Sequence, residues 1–80
     1  MEPNNERLRN LMADIFGIDA NTINEDTSID TVDEWDSIKH LNLILAIESE
    51  FEITLDEQET VEILSYPLIK LTLKEHGIEF

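Results

Sequence analysis

The sequence predicts a small all-α protein: a four-helix bundle with three longer helices, one short helix and a long first loop. Three observations support this fold class. Apolar residues recur at the three- and four-residue spacing of amphipathic helices. No long run alternates apolar with polar residues, so strands are not predicted. The two glycines and two prolines lie close to predicted helix ends, and 80 residues suit one small domain spanning residues 1–80.

The acidic composition limits the partners that the chain can have. There are 19 acidic residues against 5 basic ones, which gives a formal net charge of −14. Nucleic-acid binding needs clustered Lys and Arg, so it is not expected, and anionic membrane surfaces are disfavoured. We expect protein partners with basic docking patches, whose approach depends on salt concentration.

The chain contains no cysteine, which excludes disulfides, thiolate metal sites and a cysteine nucleophile. A protein of this composition that handled thioesters would need a thiol from a cofactor. The polar start from Met1 to Glu6 lacks the character of a signal peptide, and no apolar run reaches the roughly 20 residues of a membrane span. We expect a cytoplasmic monomer without membrane insertion and without a metal site.

The first helix is predicted to begin near Asn4 or Asn5 and to end at Phe16. Gly17 follows as a stop, because glycine readily adopts the left-handed conformation that ends many helices. One stripe of this helix is expected in the core: Leu8, Leu11, Met12 and Ile15.

A long loop is predicted over residues 18–35. Its Asn, Asp and Thr side chains can bond their own backbone, and loops of this length in small domains often carry function. A short helical turn is expected at residues 30–34. Four apolar residues are expected to attach the loop to the bundle: Ile18, Ile23, Ile29 and Val32.

The second helix has a marked start. Asp36 is a good N-cap residue, so Ser37 becomes the first helical residue, at the positive end of the helix dipole. At about 100° per residue, the broad apolar side consists of Leu41, Leu43, Ile44, Ile47 and Phe51. Ile38 and Leu45 fall at the edge of that side and are expected to stay partly exposed.

Two alternative starts exist for the short third helix. Thr54 with Glu57 forms a capping-box pattern, and Asp56 with Glu59 forms another. The helix is expected to reach about Leu64, with apolar contacts from Val61, Ile63 and Leu64.

The last helix is predicted to start near Ser65-Tyr66-Pro67, since proline is tolerated in a first turn, and to stop at Gly77. Tyr66, Ile69 and Leu73 share one side, and Leu68 and Leu71 extend the apolar surface. His76 is interpreted as a cation at the helix end, where positive charge is favourable.

The pattern from Trp35-Asp36-Ser37-Ile38 to Ile47-Glu48-Ser49-Glu50-Phe51-Glu52-Ile53 resembles the acyl carrier proteins and their peptidyl and aminoacyl relatives. The resemblance implies that Ser37, within the Asp36-Ser37 motif, carries a 4′-phosphopantetheine arm. A phosphopantetheinyl transferase would supply that arm from coenzyme A, and its thiol would hold an acyl or aminoacyl group as a thioester. The implied protein is a carrier and not an enzyme, and it presents its cargo to loading enzymes and downstream synthases or transferases.

The same resemblance implies that the helix opened by Ser37 is the main contact for partner enzymes. The implied docking residues are Ile38, Asn42, Leu45 and Glu48. Many fatty-acid carriers have acids at the positions of Lys39 and Asn42. This departure argues against a fatty-acid synthase partner and favours a dedicated biosynthetic pathway.

Other functions receive less support from the residues. A hydrolase would need a base beside Ser37, and His40 is the available candidate, but an 80-residue bundle offers little pocket. His40 is therefore interpreted as a partly exposed surface residue.

Calcium binding by an EF-hand loop is not predicted either. The segment from Asp19 to Asn24 has Ile and Asn at the fifth and sixth positions, where the loop needs an oxygen ligand and a glycine. An acidic adaptor that binds through Ile38 and Leu45 without an arm stays open.

The cargo also stays open among fatty acyl, polyketide, amino acid and D-alanyl groups. A long chain would have to enter between the helices. The residues expected to line such a path are bulky and mostly branched: Leu43, Ile44, Ile47, Phe51 and Ile63. They should fill so small a bundle, so we expect a short or polar cargo that stays outside.

Overall fold

The computed structural model describes residues 3–80, with side chains from Asn4 onward. Met1 and Glu2, which belong to the polar start considered above, lie outside the described residues. Four α-helices follow one another: α1 (Pro3–Phe16), α2 (Ser37–Phe51), α3 (Glu57–Glu62) and α4 (Tyr66–Glu75). The predicted all-α bundle with three longer helices and one short one is confirmed.

One hydrophobic core joins the helices. Helix α1 packs against α2, and α3 packs against α4. The buried apolar residues lie on α1, α2 and α4 and in the connecting segments: Leu8, Met12, Phe16, Ile23, Val32, Trp35, Leu43, Ile47, Phe51, Leu55, Ile63, Tyr66, Ile69 and Leu73. Leu11 and Ile15, predicted for the core stripe of α1, are partly buried at its edge. The rings of Phe16 and Trp35 lie 4.8 Å apart between centroids, which attaches the segment before α2 to the end of α1.

The helix ends follow the predicted signals in most places. Asp36 caps α2 and Ser65 caps α4, and both side chains accept a backbone amide of the first turn. Gly17 and Gly77 adopt φ values of 68° and 89°, the left-handed conformation expected of helix stops. Helix α1 is already present at Pro3, one residue before the predicted start, where proline is well tolerated.

Only one of the two predicted capping boxes is present at the start of α3. Asp56 and Glu59 form the box, so the prediction based on Thr54 and Glu57 is wrong. The physical reason lies in Leu55, whose side chain is buried and whose amide bonds to the carboxylate of Glu48 at 2.8 Å. This contact fixes the chain as a loop up to Leu55, and the helix can begin only after it.

Three of the four apolar residues predicted to attach the long loop to the bundle do so, and the fourth does not. Ile23 and Val32 are buried and Ile18 is partly buried, as predicted, whereas Ile29 is exposed. Ile29 is held by its backbone, because its amide donates to the carbonyl of Leu64 at 2.9 Å. The loop contains a 3₁₀ turn at Ala20–Thr22, and hydrogen-bonded turns, without a helix, over residues 28–35.

Several residues of the predicted apolar surfaces are exposed. Leu41 is 57% exposed, and Val61 on α3 is 63% exposed. At about 100° per residue, Leu41 lies about 160° around α2 from the buried Leu43 and about 120° from the buried Ile47, which is too far to reach α1. Val61 is exposed because the six-residue α3 meets the core mainly through its flanking residues. Leu64, Leu68 and Leu71 are also exposed.

Between Pro3 and Phe80 no helix combines the length and the apolar character needed to cross a membrane.

Candidate functional site

Ser37 lies exposed at the first position of α2. The carboxylate of Asp36 accepts the amide of Lys39 at 2.8 Å, and the carbonyl of Asp36 accepts the amide of His40 at 2.8 Å. The amides of Ser37 and Ile38 precede the first intrahelical bond, so they have no acceptor within the helix. An anionic group attached to the Ser37 hydroxyl would therefore meet two amides and the positive end of the helix dipole.

His40 is not available as a general base for the Ser37 hydroxyl. The Nδ1 atom of that ring accepts the indole N–H of Trp35 at 3.0 Å, and Nε2 lies 2.7 Å from the carbonyl oxygen of Thr60. Both ring nitrogens are thus engaged elsewhere, and the nearby Asp36 carboxylate is used as a helix cap. The arrangement does not suit nucleophilic catalysis by Ser37.

The pair formed by Trp35 and His40 was missed by sequence reasoning, which interpreted His40 as a surface residue. His40 is indeed partly exposed, but its ring links the loop, α2 and α3. Trp35 lies before the cap residue Asp36 and is outside the helix. Helical periodicity therefore cannot predict its contact with His40. The only available signals were an aromatic residue just before the cap and a histidine in the first turn.

Three of the four predicted docking residues share one exposed face of α2. Ile38 and Leu45 are 72% and 56% exposed, and Asn42 is exposed beside them. Leu41 adds a third apolar side chain to this face, so the apolar strip consists of Ile38, Leu41 and Leu45. Glu48 differs, because it is partly buried and its carboxylate accepts the amide of Leu55.

The surroundings of Ser37 are mostly acidic. Asp33, Glu34 and Asp36 are exposed just before it. Two basic residues are paired elsewhere: Arg7 bonds to Glu50 and Lys70 bonds to Glu25, each at 2.9 Å. The side chain of Lys39, the lysine on α2, is partly buried. A partner that approaches Ser37 therefore meets negative charge beside an apolar strip.

The side chains in the interior beneath this site are buried. Leu43 is 0% exposed, and Ile47 and Ile63 are each 1% exposed. Phe51 closes the far end of the same core, where the guanidinium of Arg7 lies 4.7 Å from the centre of its ring.

The chain is similar to known carrier proteins over most of its length. The family described as "Phosphopantetheine attachment site" matches residues 6–65. A protein of Clostridium acetobutylicum named "Acyl carrier protein" is 33% identical over 76 residues, covering 92% of this chain and 96% of that protein. The matched residues include α2 with its exposed first serine.

Proposed function

Because the chain belongs to the phosphopantetheine-binding family of acyl carrier proteins, we propose that Ser37 is the residue that carries its prosthetic arm. Members of this family are carriers rather than catalysts, and their cofactor is covalently attached 4′-phosphopantetheine. The observation that supports Ser37 is its place on α2: an exposed hydroxyl beside amides that lack helical acceptors.

The attachment itself requires little from the carrier. The oxygen of the Ser37 hydroxyl forms a bond to the phosphorus next to the pantetheine in coenzyme A. The diphosphate bond of coenzyme A breaks, its nucleotide part leaves, and the transferase accepts the hydroxyl proton. The chain contributes an accessible nucleophile and a helix start that stabilises the resulting phosphodiester. The thiol of the arm supplies the thioester chemistry that a chain without cysteine lacks.

We propose that the transferase and the pathway enzymes dock on the exposed face of α2 beside Ser37. The apolar strip of Ile38, Leu41 and Leu45 supplies contact area, with Asn42 at its edge. Glu48 is proposed to contribute negative charge at the border of this face while it holds the loop before α3. The acidic segment before Ser37 favours partners with basic patches and steers their approach.

We propose a short or polar cargo in a specialised biosynthetic pathway. Leu43, Ile47 and Ile63 are buried, so a long chain could reach them only if the helices separate, which costs van der Waals contacts. Aminoacyl cargo, including D-alanyl, fits this proposal as well as a short acyl group does. The cytoplasmic location stays a prediction.

The mass of the intact protein isolated from its native host tests the proposed function. The proposal expects the mass of the chain plus one phosphopantetheine, with or without a cargo that is released by thioester cleavage. Fragmentation should place the added mass on Ser37. A population entirely without added mass would contradict it and favour an acidic adaptor that binds through Ile38, Leu41 and Leu45.

A further inference from the structure

Both histidines of the chain bond to the short helix α3. The Nε2 atom of His40 lies 2.7 Å from the carbonyl oxygen of Thr60. The Nε2 atom of His76 lies 2.9 and 3.0 Å from the two carboxylate oxygens of Glu59. None of the six side chains of α3 is fully buried, so these polar contacts are a large part of what positions the helix.

The bond to Trp35 decides the tautomer of His40. An indole N–H is a donor only, so the Nδ1 atom that it meets at 3.0 Å must be an unprotonated acceptor. The proton of the neutral ring therefore lies on Nε2, which donates to the carbonyl oxygen of Thr60. Trp35 is itself buried against Phe16, so its indole cannot turn freely to another partner.

We propose that the chain Trp35–His40–Thr60 is a pH-sensitive clamp that holds Trp35, and with it the segment before Ser37, against α2 and α3, with His40 as its positioning residue. A second proton on the ring goes to Nδ1, where it faces the indole N–H. Two donors then oppose each other, and the bond between Trp35 and His40 is lost. Nε2 keeps its proton, so the bond from His40 to the carbonyl of Thr60 remains while Trp35 is released. The clamp on Trp35 is therefore closed when His40 is neutral and open when it is protonated.

The contact of His76 responds to acid in the opposite direction. A protonated imidazole forms a charge-assisted bond to the carboxylate of Glu59, which is stronger than the neutral one. Acidification therefore retains the attachment of α3 to the end of α4 and releases its link to the segment before Ser37. The position of the segment before Ser37 relative to α3 becomes dependent on pH.

Several other charged groups lie around this clamp. The charged groups on the elements that meet there are Glu34 on the loop, Asp36 and Lys39 on or beside α2, Glu57, Glu59 and Glu62 on α3, and His76 after α4. Carboxylates and ammonium groups ordinarily keep their charge between about pH 5 and pH 8, whereas histidine changes its charge in this range. His40→Gln offers a non-titrating replacement, because one amide group supplies both an acceptor and a donor.

The test uses the full chain without its arm, at about pH 7.5 and about pH 5. Trp35 is the one tryptophan of the sequence, so its indole N–H resonance and its fluorescence report the clamp directly. We expect acid to shift that resonance and to lower the hydrogen-exchange protection of the Trp35 indole N–H by about threefold to tenfold, as for loss of one hydrogen bond. Protection factors, corrected for intrinsic exchange, are compared at the two pH values.

Three variants make the test specific. His40→Gln should keep the protection of the Trp35 indole N–H at both pH values, and His40→Phe should lack it at both. His76→Gln, the matched control, should retain the acid response of Trp35. An acid response that is unchanged in His40→Gln, or no response in the wild type, would overturn the clamp. The comparison of wild type with His40→Gln remains decisive if His40→Phe does not fold, and none of these readouts depends on modification of Ser37.

Discussion

The carboxylate of Asp36 accepts the backbone amide of Lys39 at 2.8 Å, across the exposed residue Ser37. This bond fixes where α2 begins and therefore places the serine at the first helical position. The same carboxylate lies in the motif that resembles the carrier family, so the motif has a structural role that does not depend on any partner.

Removing this cap should destabilise the protein. Asp36→Ala leaves the amide of Lys39 without its acceptor and removes a negative charge from the positive end of the helix. We expect the free energy of unfolding to fall by about 0.5–2 kcal/mol, measured by urea denaturation followed by circular dichroism. Asp33→Ala, which removes an exposed acid three residues earlier, is the matched control and should change stability much less. Equal losses in the two variants would contradict the capping role.

Docking on α2 predicts a defect in arm transfer without a defect in folding. Leu45→Arg replaces a 56% exposed apolar side chain, so helicity should stay unchanged. Transfer from coenzyme A should slow by about tenfold, the effect of losing one central apolar contact worth about 1.4 kcal/mol. Leu71→Arg on α4, at 55% exposure, is the matched control and should react at the wild-type rate. Wild-type rates for Leu45→Arg with every partner would count against this surface.

Tyr66 predicts a stability change at alkaline pH. Burial raises the pKa of its hydroxyl above the usual 10.0, although the charge of nearby Lys70 offsets part of that rise. The folded state therefore favours the neutral phenol, which donates to Asn5 at 2.7 Å. Its stabilisation is complete below about pH 10 and is lost as the pH rises through the raised value.

Tyr66→Phe isolates this effect from the titration of lysines. The variant should lose less stability than the wild type between about pH 9 and pH 11, as measured by thermal melts at constant ionic strength. At neutral pH it should be less stable, because it lacks the bond to Asn5. Parallel alkaline losses in the two proteins would show that Tyr66 does not contribute.

The buried core predicts how the loaded carrier behaves. With an acetyl group on the arm, amide and methyl NMR shifts should change only near Ser37 and Ile38. With an octanoyl group, we expect the same restricted pattern, because entry would require Leu43, Ile47 and Ile63 to separate. Large octanoyl-dependent shifts at those three residues would contradict the short-cargo proposal.

The helices with strong local signals were predictable from sequence. A capping side chain and an apolar stripe defined the starts of α2 and α4, and Gly17 and Gly77 marked stops. The start of α3 was ambiguous, because both capping boxes satisfy the same local pattern. The bond from Glu48 to the amide of Leu55 resolves it, and that contact joins residues seven positions apart in the sequence.

The candidate site was predictable in part for a similar reason. The place of Ser37 follows from local rules, and the exposure of Ile38 and Leu45 follows from helical geometry. The prediction for Leu41 was wrong because the apolar residues of α2 extend further around the helix than the part of its surface that the rest of the protein covers. The role of His40 depends on Thr60, twenty positions away, and local patterns contain no information about that contact.

The mass gained by the purified protein on incubation with coenzyme A, magnesium and a broad-specificity phosphopantetheinyl transferase tests the central claim most directly. The account predicts a gain of one phosphopantetheine, which Ser37→Ala abolishes. Ser49→Ala, which alters another exposed serine on α2, should leave the gain intact. A gain that persists in Ser37→Ala, or a folded wild type that gains no mass with an active transferase, would contradict the account.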